Sequence, residues 1–399
     1  MRRSRQTIPG VHSLAKKYIL LVGVEFNNQG AYLMLRAAAE RIREQFGMVP
    51  VVEFQNGPDL KKRLAGVYPI VPQRFYGLFT RLTKINALSR VWKRFPWVLP
   101  TEIAAVFDGS GFRYGDEWAH QRLDVSAGKL AAWKARGVPV YMLPQAFGPF
   151  DKTAEPTLTA LRASRQIIAR DPESLAHVES IFATGSGTVR LFPDFTAGLA
   201  GRFPSQHESH RGGTPIVPNV NIYARAAGPE AKQRYIENLA AIAVDLHERG
   251  LKPYGLAHEG RSDLDVLRRV ASIVSKTSNI DLEIVEGLNG IELKGLIGTA
   301  PLLVSGRYHA VVSALSQGVP TIIHGWSHKY SHVADDFGVP ELLCDPLGDA
   351  SLSTDMIEYI LDNAELGERI RIAGAEVRSR VEEMWASIES DLASQRGQR

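Results

Sequence analysis

Apolar runs of strand length alternate with helical patterns along most of this chain. That order admits few architectures, because successive strands separated by crossover helices pair in parallel and need helices on both faces of the sheet. Strands are expected near 18–24, 50–54, 103–107, 138–143, 166–170 and 189–193, with helices near 31–46, 121–136, 153–164 and 172–180. The pattern breaks over 201–215, a polar stretch rich in Ser, His, Gly and Pro of the kind that links folding units. It then resumes with strand 216–223, helix 229–249, strand 252–257, helix 263–275, strand 281–285, helix 290–299, strand 301–305, helix 309–317 and strand 320–324, followed by helical segments. The expected fold is α/β: two doubly wound Rossmann-like domains, 1–200 and 216–399, joined by the 201–215 linker and facing each other across a cleft. A length of 399 residues suits two such domains. Sheets of this kind bind ligands beyond the C-terminal ends of their strands, so chemistry is sought just after each strand.

Composition sets outer limits. With 44% hydrophobic and 23% charged residues the chain reads as globular, and a net charge of +4 is too mild to indicate nucleic acid. Cys344 is the only cysteine, which excludes an internal disulfide or a multi-cysteine metal site and favours a reducing compartment such as the cytoplasm. Met1-Arg2-Arg3 and the apolar run from Tyr18 to Val24 imitate a signal peptide faintly, but Glu25, Asn27 and Asn28 follow directly, which suits a first buried strand. No stretch reaches the roughly 18 apolar residues of a transmembrane helix. From Lys61 through Thr101 there are nine Lys or Arg residues and no acid, interleaved with Phe75, Tyr76, Phe79, Trp92, Phe95 and Trp97. The segment 61–97 is therefore a candidate for peripheral contact with an anionic membrane surface, set against an ordinary solvated face.

The strongest motif runs from Pro301 to His309 and on to Pro320. A strand ends at Ser305, Gly306 permits a tight turn, and a helix begins near His309, so Arg307 and His309 flank free N–H groups where an anion belongs. The plainer alternative is that Arg307 caps a carbonyl and His309 satisfies a buried polar group. Asn28 and Gly30 sit in a Gly-ended polar loop that can cradle a phosphate or a sugar, or simply turn; it has neither the Walker Lys-Ser/Thr nor the three-glycine dinucleotide fingerprint. Asp108-Gly-Ser-Gly111 and the loop around Gln145 follow two further strands, and their polar groups suit sugar hydroxyls. Arg170 ends another strand, either as an anion-binding cation or as half of a buried ion pair, while Asp171-Pro172 reads as a helix cap. In the second half, Asn219, Asn221 and Arg225 lie in or just after its first strand. His258-Glu259 follows the second, and His324, His328 and Lys329 follow the strand 320–324. His258, Glu259 and Asp263 as metal ligands lack a supporting second pair, so a hydroxyl-binding or structural role is expected. No Gly-x-Ser-x-Gly elbow occurs in context: Gly109-Ser110-Gly111 lacks the spacing and Thr184 to Thr188 reads as a surface loop.

These residues resemble the polysaccharide pyruvyl transferase family. The matching pieces are the Gly30 loop, Gly109-Ser110-Gly111, Pro144-Gln145 with Gly148-Pro149, Arg170-Asp171, Pro193-Asp194, His258, and Gly306-Arg307-Tyr308-His309-Ala310 with Ala314-Leu315-Ser316 and Gly318-Val319-Pro320, in family order. Two departures stand out: many members carry Gly-Asp where this chain has Gly30-Ala31, and Leu or Phe where it has Tyr308. The resemblance implies a GT-B-like transferase that moves an enolpyruvyl unit from phosphoenolpyruvate to two hydroxyls of a glycan or lipid-linked sugar. A cyclic ketal and phosphate result, and no metal or organic cofactor is required. A carboxylate beside a phosphate calls for two or more cations and helix-terminal N–H groups, which Arg307 with Arg170 or Arg225 would supply. His309 is the expected proton donor to the methylene carbon, or the phosphate's partner. Tyr308, Asn28, Gly30, Ser110, Gly111, Gln145, His258 and Lys329 complete the expected substrate contacts. The rivals are a nucleotide-sugar glycosyltransferase and a non-catalytic carbohydrate-binding protein.

Overall fold

Ile19, Leu20 and Leu21 are buried on both faces of Tyr18–Val22 (β1), which suits a strand covered by helices on either side. A computed structural model describes residues 17–77, 97–117, 122–182 and 188–397. Among these, β1 joins Val49–Val52 (β2), Tyr68–Pro69 (β3), Ile103–Asp108 (β4), Val140–Gln145 (β5), Gln166–Ala169 (β6) and Val189–Leu191 (β7) in a seven-stranded sheet ordered β3-β2-β1-β4-β5-β6-β7. A second sheet holds Thr214–Val217 (β8), Pro253–Leu256 (β9), Ile284–Val285 (β10), Leu303–Ser305 (β11), Thr321–His324 (β12) and Leu343–Cys344 (β13), ordered β10-β9-β8-β11-β12-β13. The named pairings are parallel. Strand order reverses between β1 and β4 and between β8 and β11, and crevices open at such switch points. These are the two doubly wound sheets expected from the alternation.

Local chemistry explains where the details differ. The expected strand 216–223 stops at Val217, because Pro218 has no N–H to give a ladder and Asn219 caps a short helix, Val220–Arg225, by accepting from the Asn221 N–H. The expected linker 201–215 holds a 3₁₀ stretch, Ser205–His210, and β8 begins inside it at Thr214. The two-residue strands β3 and β13 and the helix Asp59–Ala65 have too little pattern to announce themselves.

The expected extent of the second unit, 216–399, needs a correction at its end. Helix Leu366–Gly397 starts on the second core through Ile370 and Val377, then places Val381, Met384, Trp385, Ile388 and Leu392 in the first core. Trp385 meets Phe46 and Phe195 edge-on, with ring centroids 6.2 and 5.8 Å away. The Tyr141 hydroxyl donates to Asp391 at 2.7 Å, and Arg165 pairs with the same carboxylate. At about 1.5 Å rise per residue this 32-residue helix is long enough to strap both cores together. Among the described residues, no helix is long and apolar enough to cross a membrane.

Candidate active site between the two sheets

The strand-end loops of both sheets line one cleft of about 780 Å³. At its floor is the turn after β11. The Arg307 N–H donates to Ser305 Oγ at 3.0 Å, and the Gly306 carbonyl accepts from Asn219 Nδ2 and from the Tyr330 hydroxyl, both at 2.6 Å. A Cβ on Gly306 would fall 2.6 Å from Ile222 Cδ1 and 3.1 Å from Asn219 Cβ, so a larger residue here would have to displace the Ile222 side chain. Helix Tyr308–Leu315 follows with no side-chain cap, leaving its first N–H groups toward the cleft side of the turn.

Arg307 lies on the cleft lining but is already engaged. It is buried, its Nε donates to Asp263 Oδ2 at 3.1 Å, and its terminal nitrogens pair with Asp263 Oδ1 and Glu259. Arg307 is thus held by two acidic side chains and not free toward the cleft as expected, although burial pushes the Asp263 carboxyl up to about 8. Among the described residues no group of three or more His, Cys, Asp or Glu is placed to hold a metal ion.

His309 and Arg170 converge on a residue to which the motif reading gave no role. Asp194 Oδ2 is 3.6 Å from His309 Nε2 and 3.5 Å from Arg170 Nη1, while Oδ1 accepts from the Thr196 N–H and hydroxyl at 2.9 and 2.6 Å. Burial works against a charge on Asp194, but His309, Arg170 and Thr196 outweigh it and hold the carboxyl below its usual range. Burial pushes His309 down to about 4; Asp194 opposes this, and Arg170, Lys329 and Lys294 reinforce it. The imidazole is therefore neutral in the empty cleft near pH 7. The Arg170 guanidinium lies 4.2 Å from the Tyr308 ring centroid, which gives Tyr308 a supporting role beneath the cation. Gly30 makes room for the imidazole, since a Cβ there would come within 2.3 Å of His309 Nδ1.

Lys329 is the cation with fewest commitments. It is partly exposed on the cleft lining and makes no ion pair among the described residues; the rings of Trp326, Phe112, Tyr330 and Tyr308 surround its ammonium at 4.4, 5.6, 5.6 and 5.9 Å. Burial pushes it down to about 7, helped by Arg170, Arg225 and Arg307 and opposed by Glu117. Asn28, Ser110, Gly111 and His258 also line the cleft. Asn28 caps helix Gln29–Glu44 through Oδ1 and reaches across to Glu259 with Nδ2 at 2.5 Å, so this loop ties the two sheets together. The Ser110 N–H donates to Asp108 Oδ1 at 3.1 Å, and Gly111 adopts φ +72, open to glycine. Burial, then Arg307 and His309, lowers His258 to about 3, so it too is neutral.

Other expected contacts fall outside the cleft lining. Arg225 pairs with Glu117 and stacks 4.5 Å from the Trp326 ring, bracing the rim. Gln145 is fully buried in β5. His324 is buried 3.4 Å from Ser353, and His328 turns to Glu173 at 3.6 Å. Lys294, which escaped the motif reading, is buried with its Nζ donating to the Thr196 carbonyl at 2.8 Å and to Ser316 at 3.1 Å, behind Asp194; its only sequence signal is a Lys inside an apolar helix. Of the segment 61–97, residues 78–96, with Phe79, Arg81, Lys84, Arg90, Trp92, Lys93, Arg94 and Phe95, lie outside the described residues, as do 184–187 of the expected loop.

The family model described as Polysaccharide pyruvyl transferase matches residues 28–328, which includes Arg170, Asp194, Arg307 and His309. A comparison with curated proteins found no match. Among solved structures, the chain is similar to a Listeria monocytogenes protein assigned as a UDP-N-acetylglucosamine 2-epimerase, with 12% identity, a TM-score of 0.62, and coverage of 95% of this chain and 98% of that one. It is also similar to S. aureus MnaA solved with UDP, with 13% identity, a TM-score of 0.60, and coverage of 94% and 97%. The UDP-GlcNAc 2-epimerase from Neisseria meningitidis bound to UDP-GlcNAc gives 10% identity, a TM-score of 0.56, and coverage of 93% and 99%. At these identities the likeness is one of fold, the GT-B-like pairing of two parallel sheets.

Proposed function

The chain belongs to the polysaccharide pyruvyl transferase family, and from that premise we propose that it moves the enolpyruvyl unit of phosphoenolpyruvate to a sugar acceptor and closes a cyclic ketal. The observation that carries this reading is the cation set of the cleft. Lys329, and Arg170 from its pairing with Asp194, line it beside the open N-terminus of helix Tyr308–Leu315, and these groups suit a ligand bearing both a carboxylate and a phosphate. Arg307 acts by holding Glu259 and Asp263 and shaping the turn.

The chemistry requires a proton at the methylene carbon. An anionic donor beside His309 offsets the burial that keeps it neutral, so the imidazole takes up a proton as the donor binds and delivers it to that carbon. C2 becomes electron-poor, the first acceptor hydroxyl bonds to it and sheds its proton, and a tetrahedral phospho-ketal results. The bond between C2 and the phosphate oxygen then breaks with its electron pair on phosphate. The second hydroxyl bonds to C2, sheds its proton and closes the ring. Two protons leave the diol, one ends on carbon and one on phosphate, so the sequence balances. Asp194 orients His309 and favours its charged form.

A thermal-shift comparison tests the reading. Phosphoenolpyruvate is expected to stabilise the protein and uridine or guanosine diphosphate sugars are not. The opposite result would favour a nucleotide-sugar enzyme, the second reading, which rests on the fold neighbours solved with UDP and UDP-GlcNAc.

Lys329 sets an expected pH dependence. Burial holds it at about 7 in the empty cleft and a bound anion raises it, so above pH 7 the complex holds more protons than the free protein. His309, which takes up its proton on binding, already makes affinity for phosphoenolpyruvate fall as pH rises toward 7, and Lys329 should add to that fall above pH 7, by up to about tenfold per pH unit for each group. Calorimetric titration from pH 6 to 9 checks this, and Lys329→Arg should remove the added fall above pH 7; a variant curve as steep there as the parent's would remove Lys329 from the donor site.

Gly30→Ala drives a methyl group into His309. Turnover is expected to drop by about tenfold or more, as misplacing a reacting group does, with phosphoenolpyruvate affinity nearly kept. Phosphate release measured beside a binding titration separates the two.

A further inference from the structure

We infer that helix Asp59–Ala65 and the residues flanking it form a docking surface for an anionic lipid bilayer, which places the cleft of this transferase against membrane-anchored acceptors. The inference goes beyond the proposed reaction; only its last clause, the lipid-anchored acceptor, rests on that reading.

The helix is turned inside out. At about 100° per residue, Lys62 and Ala65 share one face and are each 2% exposed, while Leu60 and Leu64, one turn apart, occupy the opposite face at 68% and 73% exposure. Lys62 is held inward by the Phe54 carbonyl, to which its Nζ donates at 2.6 Å. Lys61 and Arg63, both exposed, flank the leucine pair on either side. The helix's one acid, Asp59, sits beside Lys62 at 3.4 Å. Tyr68 and Phe54, at 47% and 37% exposure, extend the apolar surface. Among the described residues ten large hydrophobic side chains are exposed, and five of them, Phe54, Leu60, Leu64, Tyr68 and Phe75, fall within this short segment. A scattered set would be ordinary; a cluster of this kind marks an interaction surface.

Charge selects the partner. Among the described residues of this segment Lys61, Arg63 and Arg74 are exposed against one exposed acid, Asp59, so a negatively charged surface fits and a second copy of the same basic patch is repelled. Apolar side chains ringed by Lys and Arg are the composition of helices that lie at a bilayer interface. The patch also adjoins the cleft: Glu53, Gln55 and Asn56, just before the helix, line it, and Lys61 Nζ donates at 3.1 Å to Asn27, the neighbour of Asn28. A sugar carried on a lipid in that bilayer would meet the cleft from the first-sheet side.

The experiment is vesicle sedimentation of the full chain, without phosphoenolpyruvate or acceptor, so that it stands whether or not pyruvyl transfer is confirmed. Vesicles of phosphatidylcholine with added phosphatidylglycerol are expected to bind the protein, less so as salt rises, and phosphatidylcholine alone to bind it weakly. Leu60→Gln with Leu64→Gln should lower partitioning by about tenfold or more, and Lys61→Gln with Arg63→Gln by about tenfold to thirtyfold with a shallower salt dependence. These exposed positions leave the fold intact, which circular dichroism verifies. Absent binding to phosphatidylglycerol vesicles, or either double variant binding like the parent, overturns the inference. Self-association lost in the Leu60 and Leu64 variant would overturn it as well, by assigning the patch to a second copy.

Discussion

His309→Gln is expected to lower acceptor-dependent phosphate release by about a hundredfold to ten-thousandfold while changing phosphoenolpyruvate affinity much less. Gln preserves the approximate size of the ring and one N–H donor, and the Arg170 to Asp194 contact does not depend on it. It cannot carry a proton near neutral pH. The parent imidazole can do so only once the donor is bound, because burial holds it at about 4 in the empty cleft. Two further readouts follow. Binding of phosphoenolpyruvate to the parent should take up a proton near pH 7, seen as a dependence of the calorimetric heat on buffer ionisation enthalpy, and His309→Gln should abolish that part. The parent's kcat should fall as pH rises through the donor-bound value of His309, whereas the variant's residual rate should lack that fall. A variant turning over near the parent rate would mean that water or another group supplies the proton.

Much of the site was legible because of one geometric rule. A parallel sheet sends the C-terminal end of every strand to the same edge, so Asn28, Ser110, Arg170, His258, Arg307 and Lys329, each read as following a strand, meet at one cleft. Direction and partner were the illegible part. Strand position does not say which way a side chain turns: Gln145 ends β5 where the register with β6 shifts, and its side chain goes into the core. Arg225 was assigned to a strand end, but Pro218 and Asn219 convert that stretch into a helix whose last residue lies at the rim. The two acids that engage Arg307 sit 48 and 44 residues before it, on and beside the helix Gly260–Ser278, a pairing that no local spacing encodes. The last helix is legible as a helix but not as a strap, because its apolar period is the same whichever core it covers.

The Arg307 contacts reverse what its replacement should do. A free anion clamp would lose ligand affinity and leave stability untouched. Here Asp263 is fully buried and forked by Arg307 through both carboxylate oxygens, so Arg307→Leu leaves a buried acid with backbone N–H donors such as that of Glu259 but without its cation. Breaking a buried pair in this way costs about 3–5 kcal/mol, among the largest single-residue losses to be expected in this chain. Burial already pushes Asp263 up to about 8 with the guanidinium in place, and without it the carboxyl will hold its proton to still higher pH. The sign follows from linkage: the folded variant then binds more protons than the unfolded chain, so its stability is greatest at low pH and declines as pH rises above the ordinary carboxylate range. Urea unfolding at pH 5 and pH 8 should therefore show a wider gap between parent and variant at pH 8. Adding Asp263→Asn removes the stranded charge and should recover part of the loss, giving a coupling energy that neither single variant predicts. If Arg307→Leu unfolds like the parent at both values but binds phosphoenolpyruvate far more weakly, the pair contributes little to folding and Arg307 belongs to the donor after all.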